Sequence, residues 1–310
     1  MAEPAAIAAL AIEAAVGWPA RVYRLIGHPV GLFARVIDAG ERAWNSGSDR
    51  RRRVAGIVLV LLLLTATILI GAAIERLLDM LIGRRAWIVV VLLAVPGLAQ
   101  RSLHDHVAPV QNALAAGDLP AARVLVGKIV GRDVESLDEA GATRAAIESL
   151  AESFCDGVVA PAFWLLVAGL PGLWAYKALN TADSLIGHRE PRWRAFGWAA
   201  ARADDVANLI PARLAGALVC LAGAGRWRIM LGDARKHASP NAGWPEAAMA
   251  GALGLRLRGP IAYDGTMQDK PWIGDGRTDA SATDIGRALV VYRRACLGLW
   301  LIAGVVAWAL

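Results

Sequence analysis

Residues 54–74 read VAGIVLVLLLLTATILIGAAI, an apolar run with no charge in it. At about 1.5 Å per residue, a helix over this run crosses a hydrocarbon core of ~30 Å. In a water-soluble domain such a helix would need apolar neighbours on every side for roughly five turns, so the run reads as a membrane span. Arg50, Arg51, Arg52 and Arg53 stand directly before it. Guanidinium groups at a span boundary mark the cytoplasmic side, because moving them across the bilayer is costly. No aromatic interleaving or binding motif accompanies them, so no nucleic-acid partner is expected despite a net charge of +6.

The rest of the chain fits this reading. Hydrophobic residues make up 56% and charged ones 19%, against about 25% charged in ordinary globular domains. No secretory leader is expected: the first residues lack a basic region, and Glu3 and Glu13 interrupt the apolar pattern. Residues 4–20 read as an amphipathic or interfacial helix. Cys155, Cys220 and Cys296 form no CxxC pair and read as packed thiols rather than a disulfide framework.

Working outward, residues 86–99 are apolar but short. The polar stretch 101–157 contains a helix over 119–130, opened by Asp118 as N-cap and stopped by Gly131, then a second helix over 137–157. Apolar residues 158–179 are punctuated by Pro161, Gly169, Pro171 and Gly172. A single straight helix is therefore not expected there. Broken membrane helices place freed backbone against protein or a cavity. Residues 209–225 and 295–310 are further spans, with a polar, Gly/Pro-rich segment 226–294 between them. The class is all-α: a polytopic integral membrane protein with roughly four to five spanning or re-entrant helices, one membrane-embedded domain over 1–310, and helical polar insertions. Every polar connection is basic, including 181–208 with Arg189, Arg192, Arg194 and Arg202, so charge alone does not settle the topology.

Carboxylates beside apolar spans usually serve a function, and three clusters carry them. Arg144, Glu148, Glu152 and Asp156 recur every fourth residue, so on a helix they drift by about 40° per step and share a stripe of ~120°. Such acids repel one another unless a cation or Mg²⁺ sits among them; a solvated face with an Arg144–Glu148 pair is the plainer alternative. In YKALNTADS, Lys177, Asn180, Thr181 and Ser184 share a helical face, with Asp183 beside Asn180. A lysine ending an apolar run often only reaches for headgroups, but the gathered amide, hydroxyls and carboxylate suit a phosphate or an amide-rich ligand. In ARADDVANLIPAR, Asp204 and Asp205 flank the face of Asn208, with Arg202 and Arg213 nearby. Paired acids and an amide suit Mg²⁺ held against phosphate oxygens. Asn241 and Glu246, in the rigid turn SPNAGWPE, are further ligand candidates. His104 and His106 do not share a helical face and make a poor zinc pair. No phosphate-loop or dinucleotide glycine motif occurs.

Six runs taken in order, GHPVG (27–31), GDLPAARVLVGKIVGRD (117–133), AIESLAESFCDGVVAPAFW (146–164), YKALNTADSLIGH (176–188), FGWAAARADDVANLIPARL (196–214) and SPNAGWPEAAMAGALGLRL (239–257), closely resemble the adenosylcobinamide-phosphate synthase family of cobalamin biosynthesis. The resemblance covers residues 7–310. It implies a multi-pass protein of the bacterial inner membrane that uses ATP and Mg²⁺. It also implies a reaction, in which a propionate carboxylate of adenosylcobyric acid is joined to the amine of (R)-1-amino-2-propanol O-phosphate, or aminopropanol, giving adenosylcobinamide phosphate. The chain departs from the family at Ala151-Glu152-Ser153, where AEN is usual, and at Gly17-Trp18-Pro19, where many members carry Gly-Asp-Pro.

Activating a carboxylate with ATP, through an acyl phosphate, gathers negative charge that a metal and cations must offset. The expected arrangement puts metal on Glu152, Asp156, Asp204 and Asp205, and catalytic carboxylates at Glu148, Glu152, Asp156 and Asp205. Lys177, Arg202 and Arg213 would hold phosphates, and Asn180 and Asn208 corrinoid amides. Asp133, Asp183, Asn241 and Glu246 would complete the substrate contacts. One carboxylate should take the proton that the incoming ammonium must lose. Two other readings compete: a non-enzymatic membrane regulator or sensor resembling AmpE-type proteins, for which paired acids and cations are unnecessary, and a prenyltransferase-like diphosphate site at DDVAN, which would need a second Asp-rich motif.

Overall fold

The computed structural model describes residues 2–19, 23–25, 27–131, 133–263 and 266–309, with backbone alone at 2–4, 261–263 and 266–268. Ala20, Arg132 and Leu310, which fall in expected segments, lie outside the described residues. In chain order the helices begin with α1 (Ala2–Val16), α2 (Val30–Trp44), α3 (Asp49–Ile82), α4 (Ala86–Ala94), α5 (Gln100–Ala115), α6 (Leu119–Val126) and α7 (Glu139–Phe154). A π-helical turn, Cys155–Val159, leads into α8 (Ala160–Ile186), followed by α9 (Trp198–Ala207), α10 (Leu209–Ala222), α11 (Trp227–Asp233) and α12 (Gly243–Leu253). Two short antiparallel pairs, β1 (Leu257–Arg258) with β4 (Trp272–Ile273) and β2 (Ile261–Tyr263) with β3 (Thr266–Gln268), precede α13 (Ala282–Ala309). The all-α membrane class holds. Three helical stretches, within 49–115, 139–186 and 282–309, are long and apolar enough to span, and a fourth counts if Trp198–Ala207 and Leu209–Ala222 form one broken span.

The chain groups into two compact units, one from residues 1–99, 160–208 and 303–310, the other from 100–159 and 209–302. The stretches expected as polar insertions, 101–157 and 226–294, thus fall wholly in the second.

In the first unit α3 is the axis. Its 34 residues reach about 51 Å at ~1.5 Å each, well beyond a ~30 Å hydrocarbon core, so its ends are polar. Ser48 Oγ caps it by accepting from Arg51 N at 3.4 Å. Arginines in a first turn oppose the helix dipole, and here they are held by neighbours. Arg52 Nε donates to Asn45 Oδ1 at 2.7 Å and Nη2 to Pro191 O at 3.0 Å, and Arg53 lies over the Trp198 ring. Arg192 makes two 3.0 Å bonds to Glu41, and that contact holds the Glu41 carboxyl below its usual range. Segment 187–197 therefore sits at the Arg50–Arg53 end of α3, which answers the topology question for this unit: both basic segments share one end. The second half of α8 runs antiparallel to α3. Gly56 meets Phe196 O, where a Cβ would come within 1.8 Å, and Gly71 meets Pro171 Cα, at 2.9 Å. Between these contacts Leu59, Val60 and Leu63 pack on Leu179, Ala182 and Ile186, with Ile37 and Phe196.

The expected break in 158–179 falls at Ala168 (φ −137°, ψ 18°) and Gly169 (φ 63°, ψ −155°). Leu170 N, freed by the break, donates to Glu75 Oε1 at 2.8 Å. Pro171 stands in the first turn after the break, where a missing N–H costs little, and Pro161 follows directly on the π-helical turn. The N-terminal helix ends at Val16 and buries Ala5, Ala6, Ala9, Leu10 and Glu13. It is thus packed within the unit rather than lying only at an interface.

In the second unit α7 and α12 form the centre, with Ala145, Ala146, Ile147, Leu150 and Ala247 to Ala250 fully buried. α13 packs here through Tyr292, whose hydroxyl donates to Gln100 O at 2.7 Å and whose ring meets Phe154 edge-on. Two expected boundaries move. Asp118 caps α6 as expected (Ala121 N to Oδ1, 2.9 Å), but the helix stops at Val126 because Gly127 opens a run of tight turns. α13 starts at Ala282, not 295; Arg287, Arg293 and Arg294 belong to it.

A Gly169→Ala substitution would force a side chain into left-handed backbone and to 2.7 Å from Glu75 Oε1. We expect a loss of at least about 1–2 kcal/mol, read as a lower thermal midpoint in detergent, whereas Glu75→Gln, which keeps an acceptor oxygen, should lose less than Glu75→Ala. Cysteines placed at exposed Ser46 and Glu190 should label from the same, cytoplasmic side in oriented vesicles; opposite-side labelling would refute the antiparallel placement.

Candidate active site

Two groups of polar residues form, one in each unit. In the first unit the motifs YKALNTADS, on α8, and RADDVAN, on α9, come together. Asp204 is buried, and its Oδ2 accepts from Asn208 Nδ2 at 3.0 Å. Asn208 Oδ1 in turn accepts from Tyr176 OH at 3.1 Å, and Asn180 also hydrogen-bonds Asp204. Asp204 Oδ1 is buried with no hydrogen-bond partner among the described residues. Asp183 faces both Asp204 and Asp205. Asp205 pairs with Arg202 at 3.1 Å and feels Arg189. This gathers Asn180, Asp183, Arg202, Asp204, Asp205 and Asn208 from two clusters that the sequence presented separately; Arg213, expected with the second of them, instead meets Asn241 and Trp244. The two hydroxyls behave otherwise: Thr181 Oγ1 donates to Lys177 O and Ser184 Oγ to Asn180 O. They are bound to their own helix, as hydroxyls in helices often are, and are not aimed at a ligand.

Residues that the sequence reading did not pick stand near Lys177, Asn208 and Asp205. His28, in the GHPVG run, lies near Lys177, and Trp18 packs edge-on against it at 5.2 Å. Burial first, and then the Lys177 ammonium, hold the imidazole below its ordinary range. The Trp18 ring is neutral, which suits an imidazole held neutral. Tyr176 was inside a quoted motif and Arg189 was read only as one of the basic residues of 181–208; neither carried a pattern to single it out.

In the second unit the SPNAGWPE turn does the local work. Ser239 Oγ accepts from Asn241 N and Ala242 N, which turns the chain into α12. Asn241 is buried and meets Arg213 Nη1 at 3.5 Å; Arg213 also covers the Trp244 ring. Glu246 points inward, 3.4 Å from His237 Nε2 and 3.8 Å from Arg258 Nη1. Glu148 is buried and accepts from Arg258 N at 2.7 Å. Arg258 holds φ 64°, a conformation that costs a non-glycine residue roughly 1–2 kcal/mol and that collects at functional sites. His237 and Arg258 were missed because both sit in a stretch read as a polar connection.

The expected acid stripe is divided by environment. Glu148 is buried, Glu152 exposed, and Asp156 half-buried within the π-helical turn. Arg144 turns to Thr278 O and lies over Trp272. Asp133 is exposed, its carboxylate closing a local turn by accepting from Glu135 N at 3.0 Å. Among the described residues no three His, Cys, Asp or Glu side chains converge closely enough to hold a metal ion alone.

The fold and the polar groups define a membrane-embedded helical protein with buried acid–amide and acid–cation groups. The family model described as CobD/CbiB protein matches residues 6–292. The chain is 49% identical over 304 residues to the cobalamin biosynthesis protein CobD of Rhodobacter capsulatus, covering 97% of this chain and 96% of that one. It is 48% identical to the CobD of Sinorhizobium fredii over 94% of this chain and 93% of that protein, and 48% identical to that of Brucella suis over 92% and 90%. No solved structure matches. The chain belongs to the CobD/CbiB family.

Because Lys177 contributes to the lowered His28 pKa, Lys177→Gln should raise it toward the ordinary imidazole value. Titration of the His28 ring signal by NMR in detergent would show this. The sign for stability follows: an imidazole kept neutral by the fold resists protonation, so folding weakens as pH falls from about 6.5, less steeply in the variant.

Proposed function

We propose that this chain works in cobalamin biosynthesis as a membrane-bound ligase that joins adenosylcobyric acid to (R)-1-amino-2-propanol O-phosphate, with ATP as co-substrate, in the bacterial inner membrane. The names of its relatives support the pathway. The observation that carries the chemistry is the convergence of two sequence motifs on Asp204, with its unpartnered buried Oδ1 beside Asn180 and Asn208.

The donor set suits the reaction. Mg²⁺ takes hard oxygen ligands and is typically held by one or two carboxylates together with substrate phosphates. Asp204 and Asp205 are such a pair, and Mg²⁺ bound there would neutralise charge on a substrate phosphate. Glu152 and Asp156 are a second candidate pair in the other unit. Arg202 and Lys177 would hold phosphate oxygens. Asn180 suits a peripheral amide of a corrinoid, whereas Asn208, buried and bonded at both ends of its amide, would hold Asp204 in place. A carboxylate of the Asp183–Asp204–Asp205 group would take the proton from the incoming ammonium so that its lone pair can attack. In the second unit, Arg213 with Asn241, and Glu246 with His237 and Arg258, are separate candidates for polar contacts to a ligand.

The test is turnover by protein in nanodiscs supplied with adenosylcobyric acid, ATP, Mg²⁺ and the amine, followed by mass spectrometry. The expected product is the corrinoid condensed with the amine, absent without ATP. Asp205→Ala should lower kcat by about 10²-fold or more, and Asp204→Ala similarly, with the fold retained. Full turnover by Asp205→Ala would refute the placement. Corrinoid binding without product would make the protein a carrier or regulator.

A further inference from the structure

We propose that a cavity of the second unit, lined by none of the carboxylates discussed so far, is a binding site for a phosphate-bearing anion. It has a volume of about 610 Å³, within the range of ligand sites. Its walls come from α5, α10 with the turn after it, α12 and α13.

The hollow exists because small residues meet there. Ala115, Ala222, Gly223, Ala224, Ala252 and Gly286 line it. Gly223 lets α10 approach α12, since a Cβ would come within 2.3 Å of Ala252 Cβ, and Gly286 lets α13 approach Gln111, within 2.7 Å of its Nε2. Larger residues would fill the space or push the helices apart. The turn Gly223-Ala224-Gly225 adds a separate sign: Ala224 takes φ 72° although glycines flank it. Strained backbone of this kind persists where the surroundings impose it, commonly beside a ligand.

The lining sets the ligand's charge. Its charged groups are Arg287 and Arg294, seven residues apart and so on one face of α13. Arg287 is already held by Asp284 at 3.1 Å. Arg294 is exposed and makes no hydrogen bond or ion pair among the described residues. Thr283 and Gln111 add neutral hydrogen-bonding groups. A guanidinium fork matches phosphate oxygens in geometry and charge.

Two sources present that chemistry. One is a nucleoside triphosphate, and assigning the cavity to ATP rests on the ligase reading above. The other is the headgroup of an anionic lipid, since α13 continues past the cavity with exposed Leu297 and Leu301.

The experiment uses the full chain in phosphatidylcholine nanodiscs, without corrinoid or amine. ATP is titrated calorimetrically. In parallel, discs containing phosphatidylglycerol are examined by native mass spectrometry for retained lipid. Wild type is compared with Arg294→Gln and with Ala115→Trp, a substitution at an exposed position that fills the cavity. Thermal midpoints are recorded for each. ATP affinity at least about tenfold weaker in both variants, at unchanged midpoints, would assign the site to the nucleotide. Lipid retention lost in both, with ATP binding unaltered, would assign it to lipid. If neither probe's binding responds to either substitution, or neither probe binds wild type, the proposal is wrong. Binding is read without turnover. ATP binding that depends on Arg294 in a protein forming no product would keep the site and remove the ligase.

Discussion

An amide that leaves a helix inside a bilayer has no water to turn to, and the first unit is arranged around that constraint. Where α8 breaks at Gly169, the freed Leu170 N–H is taken by the Glu75 carboxylate of α3. An unmet amide in hydrocarbon costs several kcal/mol, so the break persists only while α3 delivers Glu75 to that point. α3 does so because Gly71 and Gly56 let α8 and Phe196 close against its backbone along most of its length. The half-helix that restarts at Leu170 then presents Tyr176, Lys177, Asn180 and Asp183 at its other end, where α9 meets them. The acid–amide group is thus positioned by a chain of contacts that begins at a capped break.

Much of this was legible in the residues. The charge-free run 54–74 marked a span, and Gly and Pro in 158–179 marked a broken helix because those residues are poor in helix interiors. Helical spacing within YKALNTADS and RADDVAN put Asp183 beside Asn180 and Asp204 one turn before Asn208. Their convergence was not legible, since packing between segments some twenty-five residues apart follows from the fold and not from spacing. Glu75 lies just past the apolar run and reads as an ordinary charge at the end of a span; its role depends on an amide nearly a hundred residues away. Thr181 and Ser184 misled because spacing places a hydroxyl on a face but not its hydrogen bond.

The second unit was the less legible one. Charges at 287, 293 and 294 obscured the first turns of α13, although a helix longer than the bilayer is thick must have polar ends. His237 and Arg258 sit in a segment whose Gly and Pro content suggests connection, yet its short strands and tight turns hold both side chains against Glu246. Small residues were equally hard to interpret: alanines and glycines that pack helices and those that leave a hollow look alike until the helices are placed.

The glycine contacts of α3 have an asymmetric consequence for how this protein can change over generations. Gly56 meets a carbonyl oxygen and Gly71 meets the Cα and N of Pro171, so each presses on main chain, which every residue type shares. As far as these contacts go, residue 196 can drift among side chains without disturbing them. Positions 56 and 71 cannot accept even a methyl group unless the helices separate. Mutational freedom in this interface therefore belongs to one partner, and the least variable residues in it should be those that contribute no side chain.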